Sequence, residues 1–206
     1  MLYQLLKAFI LGIVASAPLG PVAMVVLGKT LNFGSKSGFS TGLGSALGDT
    51  IFATVALLAY SIADKFISDN KVVVFLFCGI VIIFFGFKMV FRNPFVSMKK
   101  PALLKDKASV TFFGQGLLTD LSSPGALMVM LALFTSFKIK FVHGDWTSFL
   151  IIPCVYLGAA SYWYVFTAIF GHLRKTLNCN TLLWINRIAG AIVVAVGVSL
   201  LIKGFM

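Results

Sequence analysis

Two interruptions in long apolar segments, about a hundred residues apart, constrain this chain more than any other feature. The first is Pro18-Leu19-Gly20-Pro21, inside an apolar stretch from about residue 2 to 27. The second is Ser122-Ser123-Pro124-Gly125, inside another from about 109 to 137. Proline removes a backbone donor and clashes with the preceding turn. In a hydrocarbon surrounding the carbonyls left free have no water to turn to, so such a break survives only inside protein or beside a cavity. A chain of this kind must fold so that both breaks are enclosed.

Composition says that the surrounding is hydrocarbon. Of 206 residues, 59% are hydrophobic and only 11% are charged, with a mean hydropathy of +1.00. A soluble domain carries about 25% charged residues. Six apolar segments emerge, at about 2–27, 38–62, 71–91, 109–137, 147–171 and 182–203. Each approaches or exceeds the roughly 20 residues that a membrane-spanning helix needs. The expected fold is therefore an all-α, multi-pass membrane protein of six transmembrane helices, with spans one and four broken.

The net charge of +11 raises the question of nucleic acid. Six cations (Lys88, Arg92, Lys99, Lys100, Lys105, Lys107) fall in and beside one stretch between apolar segments, and the rest are scattered at segment ends. No basic groove interleaved with aromatics appears. Cytoplasmic loops of membrane proteins are rich in Lys and Arg, so membrane lipid and not nucleic acid is the expected surrounding. With the N-terminus outside the cytoplasm, the inner side also receives Lys29, Lys36, Arg174, Lys175 and Arg187, and the outer side holds six cations against eleven. Both termini are thus expected outside the cytoplasm, in the cell (inner) membrane.

Lys7, the following apolar run and Ala15-Ser16-Ala17 also resemble a signal peptide with its cleavage site. Cleavage there would leave five spans, so retention of the segment is expected. Cys78, Cys154 and Cys179 show no C-x-x-C spacing and are expected to pack as small apolar residues.

The halves of the chain match weakly. Leu43-Gly44-Ser45-Ala46 followed by Phe52 corresponds to Leu157-Gly158-Ala159-Ala160 followed by Phe166. Gly79 and Gly86 in the third segment correspond to Gly190 and Gly197 in the sixth, and Pro21 to Pro124. A three-span unit has its ends on opposite sides, so a second copy inserts upside down. The expected organisation is two inverted three-helix repeats, 1–91 and 109–206, joined by a basic cytoplasmic linker at 92–108. Short Gly/Pro-interrupted helices at matching places in two halves point to a transport site near the midplane.

Two acidic residues sit deep inside spans, Asp49 and Asp120; Asp64, Asp69, Asp106 and Asp145 lie at span ends or in loops. Each deep aspartate lies eleven residues into its span, or roughly 16 Å of helix rise, about half the hydrocarbon thickness. Both carboxyl groups are expected at the midplane, on parallel helices. An intramembrane carboxylate costs at least ~2.5–3.5 kcal/mol and is relieved by a proton or a cation, which makes Asp49 and Asp120 candidates for proton or cation coupling. The plainer readings are a structural aspartate bonded to Ser, Thr or exposed backbone amides and, for Asp120, a cap on the helix restarting after Pro124.

The breaks have a chemical use of their own. A restarting helix offers free N–H groups and a positive dipole end to a carboxylate, and a stopping helix offers carbonyls to an ammonium. Pro18, Gly20, Pro21, Ser123 and Pro124 are therefore the candidate substrate-binding residues, against the plainer reading of proline kinks satisfied by neighbours. Gly42, Gly44 and Gly48 give span two a small-residue face suited to close helix packing. Arg187 is placed either at the interface or reaching inward to an aspartate. Trp163 aligns with Asp49 across the halves and is a candidate to line a cavity. His143 and His172 show no metal-ligand spacing.

Pro18-Leu19-Gly20-Pro21 together with Gly42-x-Gly44-x-x-x-Gly48-Asp49 resembles the lysine exporter (LysE/RhtB) family of amino-acid exporters. Gly79, Gly86 and the stretch Gly116-Leu117-Leu118-Thr119-Asp120-Leu121-Ser122-Ser123-Pro124 fit the same pattern, so the resemblance covers nearly the whole chain. It implies two inverted three-helix repeats and export of an amino acid or related small metabolite, typically by proton antiport, with no enzymatic activity and no cofactor. A homodimer is compatible with that plan. The chain departs from the family where Val22 follows Pro21 in place of Asn or Gln. It departs again where Ser123-Pro124-Gly125 after Asp120 replaces an Asn-Pro-Lys motif with an asparagine upstream. A lost lysine and a gained carboxylate move the implied substrate toward something more cationic.

A divalent metal-ion exporter on the same fold is the alternative, since two hard carboxylates suit such an ion, although neither break carries Cys or His. A membrane thiol oxidoreductase on a related six-helix plan needs a cysteine pair in spans one and four, and both lack Cys.

Overall fold

A computed structural model describes residues 2–17, 21–69, 71–91, 109–137, 139 and 146–173, and scattered positions between 184 and 202. Seven helices are continuous: α1 (Leu2–Ser16), α2 (Pro21–Phe33), α3 (Ser35–Asp69), α4 (Lys71–Phe91), α5 (Ser109–Leu121), α6 (Pro124–Phe137) and α7 (Trp146–His172). The scattered positions of the sixth apolar segment are helical as well, and no strand occurs among the described residues. Both expected interruptions are present, since the first and fourth segments are each divided into two half-helices.

The boundaries correct the sequence reading in two places. The first segment does not end near residue 27 but continues to Phe33, and Gly34 turns the chain with φ of +93°, a conformation that glycine adopts without penalty. The next helix, α3, has 35 residues, roughly 52 Å long, and outruns the expected 38–62. Among the described residues, Ser35–Leu58 and Phe149–His172 are long and apolar enough to cross a membrane. The half-helices are too short to do so singly, because each break divides its segment.

The exterior is apolar and much of the polar content is inside. On α4, Val73, Phe77, Ile80, Phe84, Phe87 and Phe91 recur every three or four residues and are exposed, while Gly79, Ile82 and Gly86 face inward. On α3, Ile51, Val55 and Leu58 form a similar outward stripe. The buried set includes Ser16, Thr30, Thr41, Ser45, Asp49, Thr50, Asp120 and Thr167. Such a distribution is unfavourable in water and natural in lipid, where a solvent of hydrocarbon tails accepts the apolar stripes.

Helix α3 is the hub, packing on α2, α5, α6 and α7. Its crossing with α5 is reciprocal. A Cβ on Gly44 would overlap the Phe113 carbonyl oxygen, and one on Gly116 would overlap that of Thr41. The crossing of α1 with α7 has the same form, with Gly12 on the Val155 carbonyl and Gly158 on that of Phe9. Where lipid supplies no hydrophobic drive between helices, backbone approach of this kind holds them together. Ser40 bonds to the Ser109 carbonyl on one side of the first crossing and Gly48 meets Asp120 on the other, so α3 and α5 are parallel. Ala17 meets Tyr162 beyond the Gly12–Val155 contact, so α1 and α7 are parallel as well. By contrast α4 runs antiparallel to the sixth segment, with Gly79 on Gly197 and Gly86 on Gly190.

Two apolar clusters are stacked along this bundle. One joins α2 (Val22, Met24, Val26, Leu27) to Ala46 and to Ala159, Trp163 and Phe166 of α7. The other joins Ala8 and Leu11 of α1 to Ala53, Ala56 and Leu57 of α3, Met130 and Phe134 of α6, and Ile151 and Val155 of α7. Along α3 the step from one cluster to the other passes through Asp49 and Thr50.

Candidate functional site

The level between the two clusters is where the polar groups meet. Asp49 is 4% exposed and Asp120 is 3% exposed. They project from the parallel pair α3 and α5, in the geometry expected from sequence. The crossing at Gly44 and Gly116 sets their separation, because one helical turn beyond Gly44 brings Gly48 opposite Asp120. The Asp120 carboxyl lies against Gly48, and a Cβ at that position would overlap Oδ2. Asp120 is thus seated on the residue that precedes Asp49 in the chain.

The two carboxyl groups differ in their partners. The Ser16 hydroxyl donates to Asp49 Oδ2 at 2.6 Å across 33 residues of chain. Asp120 Oδ2 is buried and makes no hydrogen bond. The capping role considered for Asp120 is therefore absent at this oxygen. The plainer reading of Asp49 as an aspartate bonded to a hydroxyl is met by Ser16, while the adjacent Thr50 bonds back to the Ala46 carbonyl at 2.6 Å.

Both breaks restart with proline as the first helical residue, Pro21 in α2 and Pro124 in α6. Proline is favoured there because its missing N–H would have no intrahelical partner. The second break is closed by Ser123 N–H donating to the Asp120 carbonyl at 2.8 Å and Ala126 N–H donating to the Ser123 carbonyl at 3.0 Å. These prolines begin half-helices and do not kink continuous ones. Of the other residues predicted for the site, Ser123 is half-buried beside Asp120, whereas Pro18 and Gly20 lie outside the described residues.

Aromatic residues of α7 border the first break. Tyr162 Oη donates to the Ala17 carbonyl at a long 3.4 Å. Trp163, 2% exposed, packs on Gly42 and edge-on to Tyr162 and Phe166. Its indole Nε1 is buried without a partner. The glycines of span two thus divide their work: Gly44 admits the α5 backbone, Gly42 admits Trp163 and Gly48 admits a carboxyl group.

The remaining candidates fall elsewhere. Arg187 is exposed and does not turn inward, and His172 is exposed at the end of α7. Cys154 is a free thiol packed against an apolar cluster. Asp106, Asp145, His143, Cys179 and the 92–108 linker lie outside the described residues, as do the side chains of Asp64, Asp69 and Cys78. Among the described residues no group of three or more His, Cys, Asp or Glu is placed to hold a metal ion. Sequence reasoning missed Ser16 as a partner of Asp49. The signal was present, a hydroxyl on the last turn before a break, but it was absorbed into the signal-peptide resemblance.

The family model of the LysE type translocators matches residues 13–204, which includes both breaks and both aspartates. No curated protein matches the chain, and no solved structure does.

Proposed function

The chain belongs to the LysE type translocator family, membrane-embedded exporters of amino acids or related compounds, and from that premise we propose that it exports a small amine-bearing metabolite by proton antiport. The observation that carries this reading is the pair of buried carboxyl groups, Asp49 and Asp120, seated together beside two helix breaks at the level between two apolar clusters.

The chemistry follows from the cost of charge in that layer. A carboxylate without a counter-charge inside the membrane costs at least ~2.5–3.5 kcal/mol. Asp49 is eased by the Ser16 hydroxyl, whereas Asp120 Oδ2 has no partner. A proton or the ammonium group of a substrate meets the same need, so the two compete for one carboxyl pair. Competition of this kind couples their movements in opposite directions, because the unneutralised pair is the costly state. The N-termini of α2 and α6, begun by Pro21 and Pro124, suit the substrate carboxylate. A zwitterion or a small amine fits this set of groups.

The inverted repeat belongs to the same proposal, with residues 1–91 and 109–206 as its halves and 92–108 as the cytoplasmic linker. Support comes from the crossings: exchange of the halves carries the Gly12–Gly158 approach onto Gly116–Gly44, and Gly79–Gly197 onto Gly190–Gly86. Six membrane passes with both termini outside the cytoplasm complete the reading.

The test is efflux from proteoliposomes loaded with a panel of amino acids, amines and divalent cations under an imposed pH gradient. Gradient-driven efflux of an amine-bearing compound is expected, lost in Asp49→Asn while thermal unfolding in detergent stays unchanged. Efflux of divalent cations alone would replace the substrate class, and unchanged gradient-driven efflux in Asp49→Asn would remove the coupling role.

A further inference from the structure

The hydroxyl of Ser16 is unusual for its surroundings. Most described hydroxyls within helices bond back to their own helix. Thr30 donates to the Val26 carbonyl at 2.8 Å, Thr41 to Ser37 at 2.9 Å and Thr119 to Gln115 at 2.6 Å. Ser122, at the end of the other half-helix, does the same with Leu118 at 2.6 Å. Ser16 has an equivalent carbonyl one turn back, that of Gly12, yet its hydroxyl crosses to Asp49 on α3. Ser16 is also the last residue of α1, so this bond fastens the edge of the first break to the carboxyl group.

We infer that Ser16 is a positioning residue that converts the protonation of Asp49 into release of the end of α1 at the first break. The inference rests on the exporter reading above and names the link between its proton and its substrate. An ionised Asp49 accepts the Ser16 hydroxyl and holds α1 to α3. A protonated Asp49 is a poorer acceptor and carries a donor of its own. The hydroxyl then turns to the Gly12 carbonyl, the choice that its neighbours in other helices already make. No bond but this one hydrogen bond is exchanged, and the proton stays on Asp49. The edge of the break is freed when the proton arrives and fastened when it leaves.

Few other groups face Asp49. From α5 there is Asp120, seated on Gly48. From α7 there is Tyr162, bonded to the carbonyl of Ala17. Helix α6 has no titratable residue in its sequence. That of α2 is Lys29, remote from the break and stacked near the Phe33 and Phe112 rings at 5.2 and 5.0 Å. On α1 the titratable residues are Tyr3 and Lys7, toward its other end, where Lys7 donates to the Phe137 carbonyl at 3.1 Å.

The experiment reads the edge of the break directly and needs no substrate. In the full chain with Cys78, Cys154 and Cys179 replaced by serine, Ala17→Cys is labelled with N-ethylmaleimide in proteoliposomes at pH 6 and pH 8. Rates are divided by those of Lys36→Cys, an exposed position, to cancel the pH dependence of the thiol itself. The normalised rate is expected to be higher at pH 6 by on the order of tenfold, the scale of one hydrogen bond to a charged group. With Ser16→Ala it should be high at both pH values, and Ser16→Thr should restore the dependence. A pH dependence that survives Ser16→Ala, or one that Ser16→Thr fails to restore, overturns the inference. Asp49→Asn must also remove it. Because labelling is measured without transport, failure of the exporter reading in the efflux panel leaves this result to be judged separately.

Discussion

The carboxyl group of Asp120 lies on Gly48, in the space that a methyl group at position 48 would need. Swinging the carboxyl aside relieves the overlap with Asp120 Oδ2, but Asp120 Cβ, at 2.9 Å, is fixed to the backbone, so α3 and α5 must also shift slightly apart. Overpacking of this kind costs about 1–3 kcal/mol when the surroundings resist, and a cost within that range is expected here. The larger effect should fall on transport, because Asp120 leaves its place beside Asp49. Thermal unfolding in detergent together with gradient-driven efflux measures both. Efflux equal to that of the parent would show that the position of Asp120 is not used.

Gly44 and Gly116 are a different case, since each admits a backbone carbonyl that has no freedom to move aside. Gly44→Ala and Gly116→Ala should each force α3 and α5 apart and lower stability by about 2 kcal/mol or more. Gly28 and Gly114 have open space around them and serve as controls within α2 and α5. Alanine there should be neutral or stabilising by up to ~1 kcal/mol, from the better helix propensity. Unfolding temperatures of the four variants, compared in one detergent, decide the matter.

Asp120→Asn should leave the protein as stable as the parent or more so. Its Oδ2 is buried without a partner, so the substitution removes an unsatisfied charge and breaks no hydrogen bond at that oxygen. Transport should respond in the opposite sense, with a flattened dependence of efflux on internal and external pH. A strong loss of stability would instead identify Asp120 as a structural residue.

Trp163 separates ring packing from its polar atom. Trp163→Phe retains most of the contact with Gly42, Tyr162 and Phe166 and removes an indole N–H that has no partner. Less than about 1.5 kcal/mol of stability should be lost. Trp163→Ala empties a buried site and should cost about 3–5 kcal/mol. Both values come from the same unfolding measurement, and similar losses in the two variants would show that the N–H has a partner after all.

Much of this was legible in the residues. Pro21 and Pro124 announced two interruptions because each stands in a Gly/Pro cluster, unlike the lone Pro153 inside α7, and both mark the first residue of a new helix. Asp49 and Asp120 could be set at one depth by counting helix rise from the span starts, and their helices are parallel as that count required. Gly44 was identified as a packing contact. The end of the first segment was misjudged because Lys29 and Asn32 look like a loop in sequence, while the chain turns only where Gly34 adopts a positive φ. Arg187 was left with an inward option that its exposed position removes.

By itself the sequence determined that the chain is apolar, helical and twice broken, with two carboxyl groups at one level. Those properties follow from composition and from local backbone chemistry, which act over a few residues. The tertiary structure alone decided that Asp120 rests on Gly48, that Ser16 reaches Asp49, and that Trp163 covers Gly42. Each of these joins residues from separate helices, and which atoms meet depends on the rotation and closeness of the helices. Carbonyl oxygens lodged against Gly44, Gly116, Gly12 and Gly158 fix both quantities, and they act between segments whose spacing along the chain carries no record of the distance.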